Sequence, residues 1–397
     1  MAERLQPQND RVKAKKSLLP FKTTDIFTLG GFDIPFFAIV MALLTVGLIM
    51  LFSASYPYAL QKYDNSYHFF IRQFIFAFLG ILVMLFVSKV NYKFLKLATV
   101  PLLVVTIGLL LLVLVFHTNV PGGFKRWIPL GPITFQPSDV AKFTITLTLA
   151  SYFAKYGQYI KKFKYGLVYQ GAIIAVFCCL IYLEHHLSCT ILMFCIGASI
   201  MFCAGTNWKL FAGGGGAIAA VVAVVIMFPD VLMNYAGNRV QAWLDKSFEP
   251  LGARWQTNNS LYAIGSGGFF GTGLGNSKQK YLYVSEPQND FIFSIVCEEL
   301  GFVGATVIII LFGLLFVRGI MIAMQCKDKF GSFIVIGIVC QVAAQTILNI
   351  MVVTDTIPNT GISLPFFSYG GTALLMLLFE MGVVLSISRK SNQKKVQ

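Results

Sequence analysis

Apolar stretches of about twenty residues recur along nearly the whole chain, broken by short polar connections, and each can cross a hydrocarbon core about 30 Å thick as a helix. The pattern predicts ten crossings, at 33 to 55, 68 to 88, 97 to 116, 139 to 155, 166 to 183, 188 to 206, 209 to 228, 291 to 317, 331 to 354 and 366 to 387. The expected fold class is therefore an all-α integral membrane protein, with one long extracytoplasmic loop, 229 to 290, between the seventh and eighth helices. A tail of residues 1 to 32 and another of 389 to 397 flank the polytopic domain, 33 to 388.

Composition agrees: 56% of the 397 residues are hydrophobic and 12% charged, with a mean hydropathy of +0.73. The net charge of +14 might be taken for a nucleic-acid footprint, but Lys and Arg fall in short clusters between apolar runs and form no single basic face. They read as topology. The N-terminal tail, the loops 89 to 96, 155 to 164 and 318 to 329, Lys209 and the C-terminal tail together hold 21 basic residues, and the opposite side holds nine. The positive-inside bias then puts both termini in the cytoplasm and the long loop outside. Polar, basic residues precede the first apolar run with no small-residue cleavage site, so the first helix is expected to stay as an anchor. All eight cysteines lie in or beside apolar segments and are read as small packing residues.

A connection of about sixty residues stands out where the others are short, and such loops commonly carry function. Its five basic and five acidic residues cancel, and Trp243, Trp255 and several Tyr and Phe argue that much of it packs on the membrane surface. The run from Gly265 to Gly275 fails as a dinucleotide loop, because Phe270 stands where a glycine is required and no strand precedes it. A sharp re-entrant or surface turn that lets backbones approach closely is the better reading. Gly213 to Gly216, opening the seventh helix, suits tight helix packing.

Several ionisable residues fall at membrane depth, where a charge needs a partner and a reason. Glu184, His185 and His186 end the fifth helix; adjacent helical side chains diverge by about 100°, which makes one shared metal ion difficult. Glu184 is expected instead to pair with Lys142, one turn after Asp139 on the fourth helix. Glu298 and Glu299 lie about two turns into the eighth helix and are functional suspects. Asp290, just ahead of Phe291-Ile292-Phe293, is either an N-cap or a base, and both roles could coexist. All of these sit in the outer half of the membrane by this topology, with only Glu380 deeper, so the polar set looks like a site open outward and not a transport path.

The motifs then make a resemblance specific. Arg126-Trp127-Ile128, Phe135 to Asp139 with Lys142, Ser260 to Gly275, Glu286 to Phe293 with Glu298 to Gly301, and Pro358 to Gly371 resemble the signatures of the SEDS proteins (shape, elongation, division and sporulation). The likeness covers about residues 33 to 388 and is closest to the FtsW cell-division branch. It implies a peptidoglycan glycosyltransferase that polymerises lipid II on the outer face of the bacterial plasma membrane. Asp290 matches the family's catalytic aspartate, a general base for an acceptor sugar hydroxyl. The departing diphosphate needs positive charge, for which the resemblance and the charges suggest Arg126, Lys142 and Arg239, or a divalent cation such as magnesium or manganese with unknown ligands. Trp127, Gln136 and Ser138 are carried over as substrate-binding positions, and Glu286 as a second acidic one. The implied partners are lipid II, a class B penicillin-binding protein that crosslinks the strands, other divisome proteins and membrane lipids, with no nucleic acid. The chain departs from the family at Glu184 to Thr190, where many relatives have Pro-Asp after the Glu or Gln, and at Ser363, where some division-type relatives have Lys. A lipid II flippase and a non-catalytic divisome scaffold are the competing functions; the first predicts translocation without polymer, the second tolerance of Asp290→Ala.

Overall fold

The computed structural model describes residues 30–115, 126–130, 133–207, 234–252 and 254–396. Seven of its helices are long and apolar enough to cross a membrane, among the described residues. In chain order they and their companions are α1 (Ile34–Tyr63), α2 (His68–Lys89), α3 (Phe94–Val115), α4 (Pro137–Tyr156), α5 (Tyr169–Leu183), α6 (Leu187–Cys203), α7 (Asn234–Leu244), α8 (Trp255–Gly267), α9 (Ile292–Gln325), α10 (Lys329–Val353) and α11 (Gly371–Val396). Strands β1 (Ile128–Leu130) and β2 (Ile133–Phe135) form an antiparallel hairpin before α4, pairing Ile128 with Phe135. The expected seventh crossing, 209 to 228, and the Gly213 to Gly216 run lie outside the described residues. Every other expected crossing has its helix.

Differences concentrate at the ends. α11 starts at Gly371 and not at 366, because the preceding segment is folded as irregular backbone: Phe366 takes a left-handed φ of 66°, and the Leu364 N–H donates to Ser368 Oγ at 2.7 Å. The long loop is no bare spacer, since it contains α7 and α8, and α8 packs against α9.

α2 and α3 turn rows of large side chains outward, among them Phe74, Phe78, Phe86, Val100 and Val104, as helices facing lipid must. α4 is the opposite case. It is buried on nearly every side, yet carries Thr144, Thr146 and Thr148. Each of these hydroxyls donates to the carbonyl four residues back, at 2.9, 3.1 and 2.7 Å, so a polar residue costs little there. α4 packs against α3, α6 and α10 with these hydroxyls already satisfied.

α9 is broken. Gly301 has φ 67° and ψ −169°, which interrupts the helical ladder at membrane depth, where unpaired backbone groups are costly. The glycine-rich segment after α8 supplies the missing partners. Phe302 and Val303 donate to the carbonyls of Gly268 and Phe269 at 3.0 and 3.1 Å, while Thr272 and Gly273 donate to those of Glu298 and Glu299 at 2.9 and 3.1 Å. Gly271, at φ 80°, lies so close to the Glu299 carbonyl that a Cβ would collide with it, so close backbone approach is what these glycines provide.

Glu298 and Glu299 fasten the same segment, and neither lines the main cavity described below. Glu298 accepts from the N–H of Lys278 at 2.8 Å and from Ser277 Oγ. Glu299 pairs with Lys280 Nζ at 2.9 Å, both side chains being 0% exposed, and accepts from Ser53 Oγ on α1 at 2.7 Å. The Lys280 ammonium also donates to the Gly275 carbonyl at 2.6 Å and lies 4.9 Å from the centre of the Tyr56 ring. These carboxylates, suspected of function from sequence, are structural clamps.

Removing one member of such a pair leaves a buried charge without its partner, a loss of about 3–5 kcal/mol. Lys280→Met is expected to lower the apparent Tm of the detergent-solubilised chain sharply, and the double variant Lys280→Met/Glu299→Gln to recover part of it. Equal Tm values for native and single-variant protein would refute the clamp.

Candidate active site

A cavity of about 580 Å³ opens among α2, the β-hairpin, the first turns of α4 and α6, the residues before α9 and the segment leading into α11. Its volume lies within the range of about 300–1,000 Å³ usual for small-molecule sites. The hairpin does much of the positioning: Arg126 and Trp127 precede β1, Gln136 follows β2, and all three reach the cavity wall. Arg126 is oriented by a hydrogen bond to the backbone carbonyl of His185. Ser138, Asp139 and Lys142 reach the wall from the first turns of α4.

Lys142 pairs with Asp139 at 2.8 Å, one turn away on its own helix. The expected pair with Glu184 is therefore not made. Glu184 is fully buried with no hydrogen-bond partner for either carboxylate oxygen, and burial pushes its carboxyl up to about 8 against the opposing pull of Arg126. The neighbouring His186 does reach the cavity; burial, together with the charges of Arg126, Lys142 and Arg239, holds its imidazole well below the usual range. Gln136 Nε2 lies 3.4 Å from its Nδ1. Among the described residues no group of three or more His, Cys, Asp or Glu could hold a metal ion.

Asp290 lines the same cavity, half-buried, and is not an N-cap: the capping position of α9 is Phe291, which makes no side-chain bond. Its backbone carbonyl accepts from Asn349 Nδ2 of α10 at 2.7 Å, and the same nitrogen donates to the Ile362 carbonyl at 2.6 Å. Gly361, at φ 73°, faces the carboxylate so closely that an added Cβ would lie 3.2 Å from Oδ2. Burial raises the Asp290 carboxyl to about 6; Arg126 and Arg239 pull it down, and Glu286 pushes it up.

Two of the residues expected at the site stand outside the cavity wall. Glu286 is exposed, in a left-handed conformation at φ 48°, and accepts from Tyr58 Oη at 3.1 Å and Asn289 Nδ2 at 2.8 Å. It touches the cavity wall through Asn289, which does line it, and its charge is felt at Asp290. Arg239, on α7, donates to the Asn359 carbonyl at 3.0 Å and lines a neighbouring chamber, although its charge is felt at Asp290.

Arg72 was missed by sequence reasoning and lines the cavity from α2. Its signal was available: a lone arginine one turn inside an apolar helix. Asn289, Gln345 and Tyr369 also line the wall and carried no comparable signal. Arg72, Arg126 and Lys142 face one space with Asp139 and Asp290, so the wall has an excess of positive charge beside one carboxyl that titrates in the range useful for a base. That combination suits a polyanionic substrate with a hydroxyl to deprotonate.

Comparison with known proteins gives the same direction. The model of the FtsW/RodA/SpoVE cell cycle proteins matches residues 34–393. Stage V sporulation protein E of Bacillus subtilis is 39% identical over 368 residues, covering 90% of this chain and 97% of the relative. A probable peptidoglycan glycosyltransferase FtsW of Trichlorobacter lovleyi is 35% identical, covering 91% of this chain and 94% of the relative. Among solved structures, one described as coordinating polymerization and crosslinking in a peptidoglycan synthase complex aligns with a TM-score of 0.74 at 26% identity, over 91% of this chain and 99% of that one. The rod shape determining protein RodA of Thermus thermophilus shares the fold, with a TM-score of 0.65 at 24% identity over 90% of this chain and 97% of that one.

The electrostatics can be measured without any substrate. Difference infrared spectra of native protein against Asp290→Asn should show a carboxyl band that disappears as pH rises through about 6. In Arg126→Gln the same transition should move to higher pH, because a cation that favours the carboxylate has gone. A transition that stays in place or moves lower would remove Arg126 from the neighbourhood of Asp290.

Proposed function

The chain belongs to the FtsW/RodA/SpoVE family of cell cycle proteins, and from that premise we propose that it is a peptidoglycan glycosyltransferase. It polymerises lipid II into glycan strands on the outer face of the bacterial plasma membrane during cell division, with Asp290 as general base. The observation that carries this reading is the gathering of one half-buried aspartate and three cations, Arg72, Arg126 and Lys142, around a single cavity of about 580 Å³.

In the reaction, the hydroxyl oxygen of an acceptor sugar attacks the anomeric carbon of the donor. The bond from that carbon to the lipid diphosphate breaks, its electron pair leaves with the diphosphate, and the hydroxyl proton passes to the Asp290 carboxylate. The three cations line the cavity and face the charge that grows on the leaving group. A divalent cation such as magnesium or manganese, bound with the diphosphate, would add positive charge for the same task. Gln136, Ser138 and Trp127 remain as groups that orient the substrate.

The enzyme works beside a class B penicillin-binding protein and other division proteins, a role supported by the likeness to a component of a synthase complex. Both termini are cytoplasmic in this reading, which rests on the bias of Lys and Arg, and α7 and α8 lie outside.

The test uses the full chain with its partner and lipid II. Asp290→Asn is expected to reduce glycan formation by about 10²–10⁴-fold, as loss of a general base does. Native activity should fall as pH drops through about 6, because protonation of Asp290 removes the base. Polymer formed by Asp290→Asn at the native rate would end the assignment, and labelled lipid crossing liposomes with no polymer would favour a flippase.

A further inference from the structure

Beside the reaction cavity lies a second chamber, of about 430 Å³, walled by α7, α8 and the segment that follows α10. The two spaces are neighbours through one short stretch of chain. Asn359 belongs to the second chamber, and Gly361, two residues on, stands against Asp290 in the first. Two residues of extended chain span at most about 7 Å. Arg239 makes the same link electrically, lining the second chamber while its charge acts on Asp290 and His186.

The chamber is built and not merely left over. Arg254, 3% exposed, holds Asp355 at 2.7 Å and the Ala242 carbonyl at 2.6 Å, which ties α7 and α8 to the end of α10. Trp243 Nε1 donates to the Asp355 carbonyl at 3.0 Å, which fixes that indole. Trp255, at the start of α8, contributes a second half-buried indole to the same wall. Gln256 donates to the Ser285 carbonyl at 3.0 Å and takes a longer bond, 3.4 Å, from Asn359 Nδ2.

These surfaces select a chemical class. Among the described residues the aliphatic lining is Ala242 and Leu251, which is little for a lipid chain. Of the chamber's two described guanidiniums, Arg254 is engaged by the Asp355 carboxylate, itself in the wall, and Arg239 by the Asn359 carbonyl, an arrangement that suits a neutral ligand better than a diphosphate. Flat indole faces beside neutral amides suit a pyranose ring, whose C–H face packs on an aromatic ring while its hydroxyls bond to amides.

We propose that this chamber is a saccharide subsite holding a sugar of the glycan strand adjacent to the unit that reacts at Asp290. The inference rests on the polymerase reading above, and gives the growing strand a place to remain bound between additions.

The experiment compares native chain, Trp255→Leu, Gln256→Ala and Trp255→Phe, each assembled with its partner and supplied with lipid II, scoring both strand length and the number of strands started. Loss of one aromatic contact should shorten strands about two- to tenfold relative to the number started, and Trp255→Phe should restore length because a ring face remains. Strand lengths equal to native in Trp255→Leu and Gln256→Ala, or a proportional fall of length and initiation, would overturn the subsite. A second arm needs no turnover: a soluble, peptide-free GlcNAc–MurNAc tetrasaccharide is titrated into Asp290→Asn protein while tryptophan fluorescence is followed. A saturable change that Trp255→Leu abolishes supports the subsite. No change, or a response to the stem peptide alone, refutes it. Should native chain make no glycan, the enzyme assignment fails, and the fluorescence arm still decides for or against sugar binding.

Discussion

A helix that breaks inside a membrane must find other partners for its backbone, and in this protein that requirement organises the outer half of the molecule. The break at Gly301 exposes carbonyls and N–H groups that only a second, closely approaching backbone can satisfy; the Gly268 to Gly273 segment is that backbone. Close approach demands glycines, and the clamps made by Glu298 and by Glu299 with Lys280 keep the two segments together. The first part of α9 is thereby fixed to α1 and to the end of α8. Asp290 sits just ahead of that part, so its position is inherited from a solution to a hydrogen-bonding problem on the far side of the helix.

The site itself is a balance of charges held at short range. Asp139 engages Lys142, which stops the lysine from reaching freely across the cavity, while Arg126 is held by a backbone carbonyl. Asp290 is pushed up by burial and drawn back by two arginines, and comes to rest near 6. A carboxyl in that range is ionised near neutral pH yet basic enough to accept a proton. Neither a fully exposed aspartate nor one paired directly with a guanidinium would combine both properties.

Much of this was legible in the sequence. Runs of apolar residues marked every described crossing, because a helix in lipid has no other way to satisfy its backbone. The family resemblance singled out Asp290, Arg126, Trp127, Gln136, Ser138 and Lys142, and all of them share one cavity. What failed was pairing across helices. Glu184 and Lys142 looked like partners by depth alone, although Asp139 lay one turn from Lys142 in the sequence itself. Glu298 and Glu299 looked functional because depth says nothing about whether a loop folds back to neutralise them. The relation of Glu286 and Arg239 to the cavity depended on the folding of the long loop, whose two helices carry no transmembrane signal.

Asn349 has a mechanical meaning beyond its two hydrogen bonds. One amide nitrogen on α10 holds both the carbonyl of the base and that of Ile362, next to the glycine facing it. Opposite jaws of the cavity are thus riveted to a single axle. The spacing between Asp290 and the glycine that faces it is therefore set from one helix, α10.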